Sequence, residues 1–240
     1  MTVDTLLEVS ALGKRFGGFV ALESIELAVT EKERVGLIGP NGSGKSTLVN
    51  CVCGTMRHEM GSVRFAGQTL NGLSAHERTR LGLARSFQLP RPFNTLSLAD
   101  NLRVPLLYSG RHGAQPTDAR CLELLHMVGL ADKRDRLPRD LTQIEMRKLE
   151  LARAMAADPR LLIADEAMAG LSHAEVDDIL RLLIRLNEQG VTVILIEHIM
   201  RAVMHFSQRL VVLVAGRKIA DGDPTEVVRD PDVVRAYLGE

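Results

Sequence analysis

The 240-residue chain predicts an α/β fold, an open parallel sheet interrupted by an inserted helical lobe, and three observations predict it. First, RVGLIG (34–39), LLIAD (161–165) and VTVILIE (191–197) are continuous apolar runs, as expected of strands covered on both faces. Second, a helix over Ala174–Gln189 separates the last two runs, with Val176, Ile179, Leu180, Leu183 and Leu186 at helical spacing. Strand–helix–strand order of this kind argues a parallel sheet. Third, a glycine-rich stretch, GPNGSGKST (39–47), joins the first buried run to the helix that opens at KSTLVNCV.

The remaining elements follow in order. LLEVS (6–10), SIELAV (24–29) and VRFAG (63–67) alternate apolar and polar residues, which predicts half-buried antiparallel strands. Gly190 is placed to end the 174–189 helix in a left-handed cap, and RLVVLVAG (209–216) supplies a further strand. Residues 90–157 contain helical segments and no long β-run, punctuated by Pro90, Pro92, Pro105 and Pro116. The expected division of this single domain is therefore a core of 1–89 and 158–240 and a helical subdomain of 90–157. The loop SGRHGAQPTD (109–118) is expected to be its most exposed and mobile part. Two short C-terminal helices are signalled by Asp223-Pro224 and Asp230-Pro231.

Composition narrows the function classes. With 45% hydrophobic and 25% charged residues the chain is an ordinary globular one. Its formal net charge of zero argues against a general electrostatic grip on nucleic acid. The local run Arg78, Arg80, Arg85 and Arg91 reads as a solvated face. No window reaches the roughly 18 continuous apolar residues of a membrane span. The N-terminal MTVDTLLEVS lacks the features of a signal peptide, so a cytoplasmic location is expected. Three cysteines suit a reducing compartment, and Cys51 and Cys53 read as two buried residues of one helix rather than half a metal site.

The chemistry begins at GPNGSGKST, which matches G-x-x-x-x-G-K-[ST] between a buried strand and a helix, the context that gives the motif its meaning. Gly42 and Gly44 allow backbone N–H groups to curl around a β-phosphate at a helix N-terminus. Lys45 is placed to bridge β- and γ-phosphates, and the Ser46 hydroxyl to ligate Mg²⁺. The binding loop is thus Gly39, Pro40, Asn41, Gly42, Ser43, Gly44, Lys45, Ser46 and Thr47. LLIADE carries Asp165 to the sheet's carboxyl edge, where ligands bind in such folds, on a strand expected to neighbour the loop's own. Asp165 suits the Mg²⁺, through water, and Glu166 is free to polarise an attacking water.

With GPNGSGKST, LLIADE, the glutamine of RSFQLP and the histidine of ILIEHIM, the whole chain resembles the ATPase subunits of ABC transporters. ARSFQLPRPFNTLSLADN, LLIADEAMAGLS and the ending AGRKIADGDPTEVVRDPDVVRAYLGE resemble the branched-chain amino acid importer group in particular. The resemblance implies a P-loop NTPase with a RecA-like core, a small antiparallel β-subdomain and an inserted α-helical subdomain. It places Phe16 where the family stacks an aromatic on adenine. It places Gln88 at the Mg²⁺ and the attacking water, and His198 at the γ-phosphate, holding the catalytic Glu166. ATP and Mg²⁺ are the implied ligands.

Departures from the family pattern are concentrated in one loop. Where the family reads LSGGQ, or LSYGQ in this group, this chain has Leu141, Thr142, Gln143, Ile144 and Glu145. Ile144 replaces a glycine whose N–H approaches the γ-phosphate, and Glu145 is expected to set a carboxylate near the nucleotide's own charge. Ala167 follows the catalytic glutamate in place of proline, and Ser172 ends AGLS in place of aspartate. In the family two such subunits dimerise head to tail, each signature completing the other's phosphate loop. The expectation is an importer ATPase for branched-chain amino acids or related small amides or carboxylates, peripheral at the cytoplasmic face of the plasma membrane. Its partners are two integral-membrane permeases and a second ATPase subunit, so that one of two composite sites is degenerate; a homodimer is the alternative. Competing classes are a soluble ABC ATPase acting on nucleic acid or ribosomes, and a small-molecule P-loop kinase. The single phosphate loop and lack of sustained heptads count against the first, and the Asp165-Glu166 pair with His198 against the second.

Overall fold

The computed structural model describes residues 5–87, 89–109 and 118–238. Gln88 and residues 110–117 of the loop expected to be mobile lie outside the described residues. The chain opens on a hairpin of β1 (Thr5–Phe16) and β2 (Phe19–Thr30), both longer than the sequence predicts. The reason is local. Register shifts interrupt the pairing between Val9 and Leu12, and Ala11 and Ser24 adopt φ of +47° and +50°. Each bulge resets the inside–outside alternation, so periodicity alone truncates both strands.

The first parallel strand, β3 (Arg34–Ile38), runs into the phosphate-loop segment and then α1 (Lys45–Cys53). β4 (Met60–Phe65) and the two-residue β5 (Gln68–Thr69) return to the hairpin and complete a four-stranded antiparallel sheet, β2-β1-β4-β5. After α2 (Ala75–Arg80), β6 (Leu83–Ser86) joins a second sheet as its far edge. The polar Arg85 within LARS hides this strand from a reading by apolar runs. Three helices follow, α3 (Leu98–Ser109), α4 (Asp118–Val128) and α5 (Gln143–Met155), packed on one another. Then come β7 (Leu161–Asp165), α6 (His173–Glu188), β8 (Thr192–Ile196), α7 (Met200–Phe206) and β9 (Arg209–Val214). β10 (Arg217–Gly222), an antiparallel edge strand also missed by its polarity, precedes α8 (Pro224–Val227) and α9 (Pro231–Leu238).

The second sheet has the order β10-β9-β3-β8-β7-β6. This corrects one expectation: the strand of Asp165 does not neighbour that of the phosphate loop, because β8 lies between them. Its strands are covered on both faces, and alternate residues show how. Leu161, Ile163, Ile194 and Ile196 join the core formed with α1 and the antiparallel sheet. Leu162, Ala164, Val193 and Leu195 join the core formed with α3–α6. A smaller cluster around Ile38, Val203 and Val212 sits under the C-terminal helices.

The basic run is not a solvated face. Arg80 and Arg91 are exposed, but Arg78 is buried and Arg85 is half-buried. Arg78 has no carboxylate partner among the described residues; its guanidinium donates to Cys51 O and Val52 O at 2.7 Å, Leu70 O at 2.9 Å and Leu73 O at 3.1 Å. Two of these carbonyls lie in the last turn of α1, where the helix dipole favours a cation, and Cys51 O also accepts from Gly54 N–H at 3.3 Å. Gly54 makes room for it, since a Cβ there would stand 2.7 Å from Arg78 Nε. The same burial pushes the Cys51 and Cys53 thiols up to about 11 and about 12, so both behave as small apolar residues. Replacing Arg78 by Ala removes four hydrogen bonds to carbonyls, of which Cys51 O and Leu70 O keep backbone donors from Gly54 and Leu73, and is expected to cost about 2–4 kcal/mol in denaturant unfolding. A loss below about 1 kcal/mol would mean that water takes over the bonds.

Candidate functional site

Four strands deliver their C-terminal ends to one edge: β3 to the phosphate loop, β8 to Glu197-His198, β7 to Asp165-Glu166, and β6 to Phe87. The loop is built by close approach. A Cβ on Gly39 would lie 2.1 Å from Leu213 O, and one on Gly44, whose φ is +104°, 2.8 Å from Ala21 O. Asn41, Gly42 and Ser46 are exposed, Pro40, Gly44 and Thr47 half-buried, and Ser43 buried. Lys45 Nζ bends back over the loop, donating to Gly39 O at 2.7 Å and Pro40 O at 3.0 Å. Burial lowers the pKa of this amine, while the Glu166 and Asp165 carboxylates raise it. The loop lysine and both acids therefore share one electrostatic site. Its cradle of N–H groups, the Lys45 amine and the oxygen ligands of Ser46 and Asp165 fit a nucleotide polyphosphate with a hard divalent cation.

The acids are held in distinct ways. Asp165 is 6% exposed and paired with Arg85, Nη2 to Oδ2 at 2.5 Å. Glu166 adopts φ +47°, an unusual state for a non-glycine residue, pinned by its N–H donating to Ile196 O at 2.9 Å. The turn that follows is clamped from two sides. Met168 N–H donates to Glu197 Oε1 at 2.8 Å, and Arg147 Nη2, on α5, donates to Ala169 O at 3.2 Å. Glu197 is 2% exposed and burial raises its pKa; its Oε2 lies 3.9 Å from His198 Nδ1. His198 itself presents an exposed ring, and Phe16 at the hairpin tip is 48% exposed with Lys14 Nζ 5.2 Å from its ring centroid. Phe16 is therefore no core residue. Glu197 and Arg147 did not stand out in the sequence, and Arg85 was read there only as part of a solvated basic run. A carboxylate closing VTVILIE, as Asp165 closes LLIAD, was the one available signal.

The LTQIE loop is closed on itself. Thr142 caps α5, its Oγ1 accepting from Glu145 N at 3.4 Å, while Glu145 Oε2 accepts from Thr142 N at 3.0 Å. Glu145 Oε1 is paired with Lys133 at 2.5 Å, and that ammonium holds its carboxyl below the usual value. Glu145 thus turns back on its own helix start, where the donors are. Leu141 and Ile144 lean on the helical core. Gln143 Nε2 donates to Ala169 O at 3.3 Å, binding the loop to the turn that Glu197 and Arg147 hold. Ser172 takes over the capping of α6, accepting from Glu175 N at 3.5 Å. Beside these elements a groove of about 320 Å³ is lined by Arg85, Phe87, Phe93, Tyr108, Glu150 and Arg153 among others.

Comparison with known proteins agrees with this geometry. Residues 22–169 match the ABC transporter family model, and residues 217–240 match that of the branched-chain amino acid ATP-binding cassette transporter. The high-affinity branched-chain amino acid transport ATP-binding protein BraF of Pseudomonas aeruginosa is 38% identical, with 98% of each chain covered. LivG of Escherichia coli, of the same description, is 36% identical over 98% of both chains. The lipopolysaccharide export ATP-binding protein LptB of Escherichia coli is 33% identical, over 98% of this chain and 97% of that one. Among solved structures, a nucleotide-free ATP-binding cassette of an ABC transporter superposes with a TM-score of 0.91 at 28% identity, covering 99% of this chain and 100% of that one. A cassette in its ADP conformation gives 0.89 at 29% identity over the same shares. The chain, with its phosphate loop and paired strand-end acids on one sheet edge, belongs to the ATP-hydrolysing subunits of ABC transporters, in the branched-chain amino acid group.

Proposed function

We propose that the chain powers an importer of branched-chain amino acids or related small amides or carboxylates, held at the cytoplasmic face of the plasma membrane by two permease subunits. In this reading it pairs with a second ATPase subunit, and the two composite ATP sites are unequal. The observation that carries it is the contrast within one chain. The phosphate loop and strand-end acids are intact, whereas the LTQIE helix start is stoppered by its own Glu145.

In this reading Gly42 and Gly44 leave backbone N–H groups open to the phosphates, and Lys45 exchanges the Gly39 and Pro40 carbonyls for β- and γ-phosphate oxygens. Gly39, Pro40, Asn41, Ser43 and Thr47 shape the loop, and Phe16 offers its exposed face to adenine. Ser46, Asp165 and Gln88 would hold Mg²⁺, which supplies charge neutralisation across the phosphates. Glu166 polarises the attacking water, and His198 contacts the γ-phosphate and keeps Glu166 in place. We take 90–157 as a lobe that moves against the core of 1–89 and 158–240. A permease segment in the groove at Phe87 and Phe93 would drive or follow that motion. The degenerate signature, Leu141, Thr142, Gln143, Ile144 and Glu145, serves the partner's site poorly.

The direct test is to purify a tagged Glu166→Gln chain from detergent-solubilised native membranes and identify what accompanies it by mass spectrometry. Two permeases and an ATPase subunit with a glycine-bearing signature are expected. Ribosomes or DNA-bound factors would favour the remodeller class instead, and a sole homodimer would end the asymmetric reading. In the assembled transporter, Ile144→Gly combined with Glu145→Gln should raise ATP turnover at least twofold if the second site is limited by this loop. Unchanged turnover, with the assembly intact, would clear the loop of that role.

A pH prediction follows from the Lys133 pair. Because the Lys133 ammonium holds the Glu145 carboxyl below the ordinary glutamate value, its stabilisation is complete above that value and is lost as pH falls through the folded pKa. The stability gap between the native chain and Glu145→Gln should therefore be constant down to about pH 5 and close at lower pH. Denaturant midpoints across that range check it, and a gap that persists under acid would show the capping geometry rather than the charge to be responsible.

A further inference from the structure

Arg85 is an unexpected residue for its place. β6 is a parallel strand paired with β7, Arg85 opposite Ile163, and its neighbours Ala84 and Ser86 are buried. The guanidinium is 14% exposed and makes contacts to three different elements. Nη2 meets Asp165 Oδ2 at 2.5 Å, Nη1 donates to Asn50 Oδ1 at 2.7 Å, and the Phe87 ring centroid lies 5.4 Å from Cζ. Asn50 stands on α1, the helix that the phosphate loop opens; Asp165 ends β7; Phe87 begins the segment leading to Gln88. Arg85 Nε is buried with no hydrogen-bond partner among the described residues, and the side chain is held by its two terminal nitrogens and by the aromatic face.

The consequence is electrostatic. The carboxylate best placed to hold the divalent cation is already covered on one oxygen by a fixed positive charge in a site shielded from water. Without that guanidinium, Asp165 would oppose a polyphosphate bound by itself and would attract a cation more strongly. With it, the acid is oriented and its field on an uncomplexed nucleotide is muted.

We propose that Arg85 is a positioning residue that sets how strongly nucleotide binding depends on the divalent cation, by sharing Asp165 with it. This rests on the reading of Asp165 as the cation's carboxylate. The guanidinium holds one oxygen and leaves the other for the cation's water shell, while Asn50 ties this arrangement to the phosphate-loop helix. Arg85 also forms part of the groove wall with Phe87 and Phe93, so the groove and the cation site share one side chain.

The experiment measures the affinity of the full-length chain for a fluorescent ATP analogue in Mg²⁺ and in EDTA, for the native protein, Arg85→Gln and Arg85→Lys. The ratio of the two dissociation constants should rise at least fivefold in Arg85→Gln, mainly through weaker binding in EDTA, and return to within twofold of native in Arg85→Lys. Adding Asp165→Asn to Arg85→Gln should bring the ratio to that of Asp165→Asn alone, because the two changes act through one interaction. Mn²⁺ titration of the nucleotide-free chain, followed by electron paramagnetic resonance, should show tighter binding in Arg85→Gln. A merely structural arginine would weaken both affinities equally, leave the ratio unmoved and overturn the proposal. A ratio change that survives in the Asp165→Asn background would overturn it too. Loss of the analogue's binding by the native chain in both conditions would count instead against the nucleotide reading of the site.

Discussion

A sheet buried on both faces can accept polar groups only where its strands stop, and the site of this protein depends on that constraint. β3, β7 and β8 are five-residue strands, and each releases its first charged or phosphate-binding residues at the same edge. Burial of the preceding residues leaves those groups little freedom, which is the preorganisation that phosphoryl chemistry requires. The strained backbone of Glu166 belongs to the same logic. Its left-handed conformation persists because Ile196, Glu197 and Arg147 bond the turn it begins from both sides.

Buried arginines wire this edge to the rest of the fold. Arg78 neutralises no acid; it collects carbonyls at the end of α1 and so fixes the far end of the helix whose start cradles phosphate. Arg147 reaches from α5 to the turn after Glu166, and Arg85 from β6 to Asp165. Planar guanidinium groups suit these tasks because each presents several donors in a fixed plane and remains charged when desolvated. A net charge of zero thus conceals cations used internally rather than spread on a surface for a polyanion.

The LTQIE loop uses the physics of an anion at a helix N-terminus with the anion supplied by the chain itself. Glu145 occupies the position that a capping box prescribes, and Lys133 balances its charge. That T-x-x-E pattern was available in the sequence, where the loop was read only against a phosphate. The helix start is satisfied locally by its own side chains.

By itself the sequence determined the features that are local or periodic. The apolar runs located β3, β7 and β8, helical spacing located α6 with Gly190 just beyond it, and nine consecutive residues located the phosphate loop. Strands whose pattern is broken went unseen or were cut short: β1 and β2 by bulges, β6 by Arg85, β10 by its polarity. Only the tertiary structure decided strand order, and with it the insertion of β8 between the loop's strand and that of Asp165. It alone decided the pairings that complete the site, because Arg85 and Asp165 are 80 residues apart, and Glu197 and Met168 29. No period or motif spans such separations. A side chain's partner is set by which strand ends the sheet brings together, and that is a property of the folded chain.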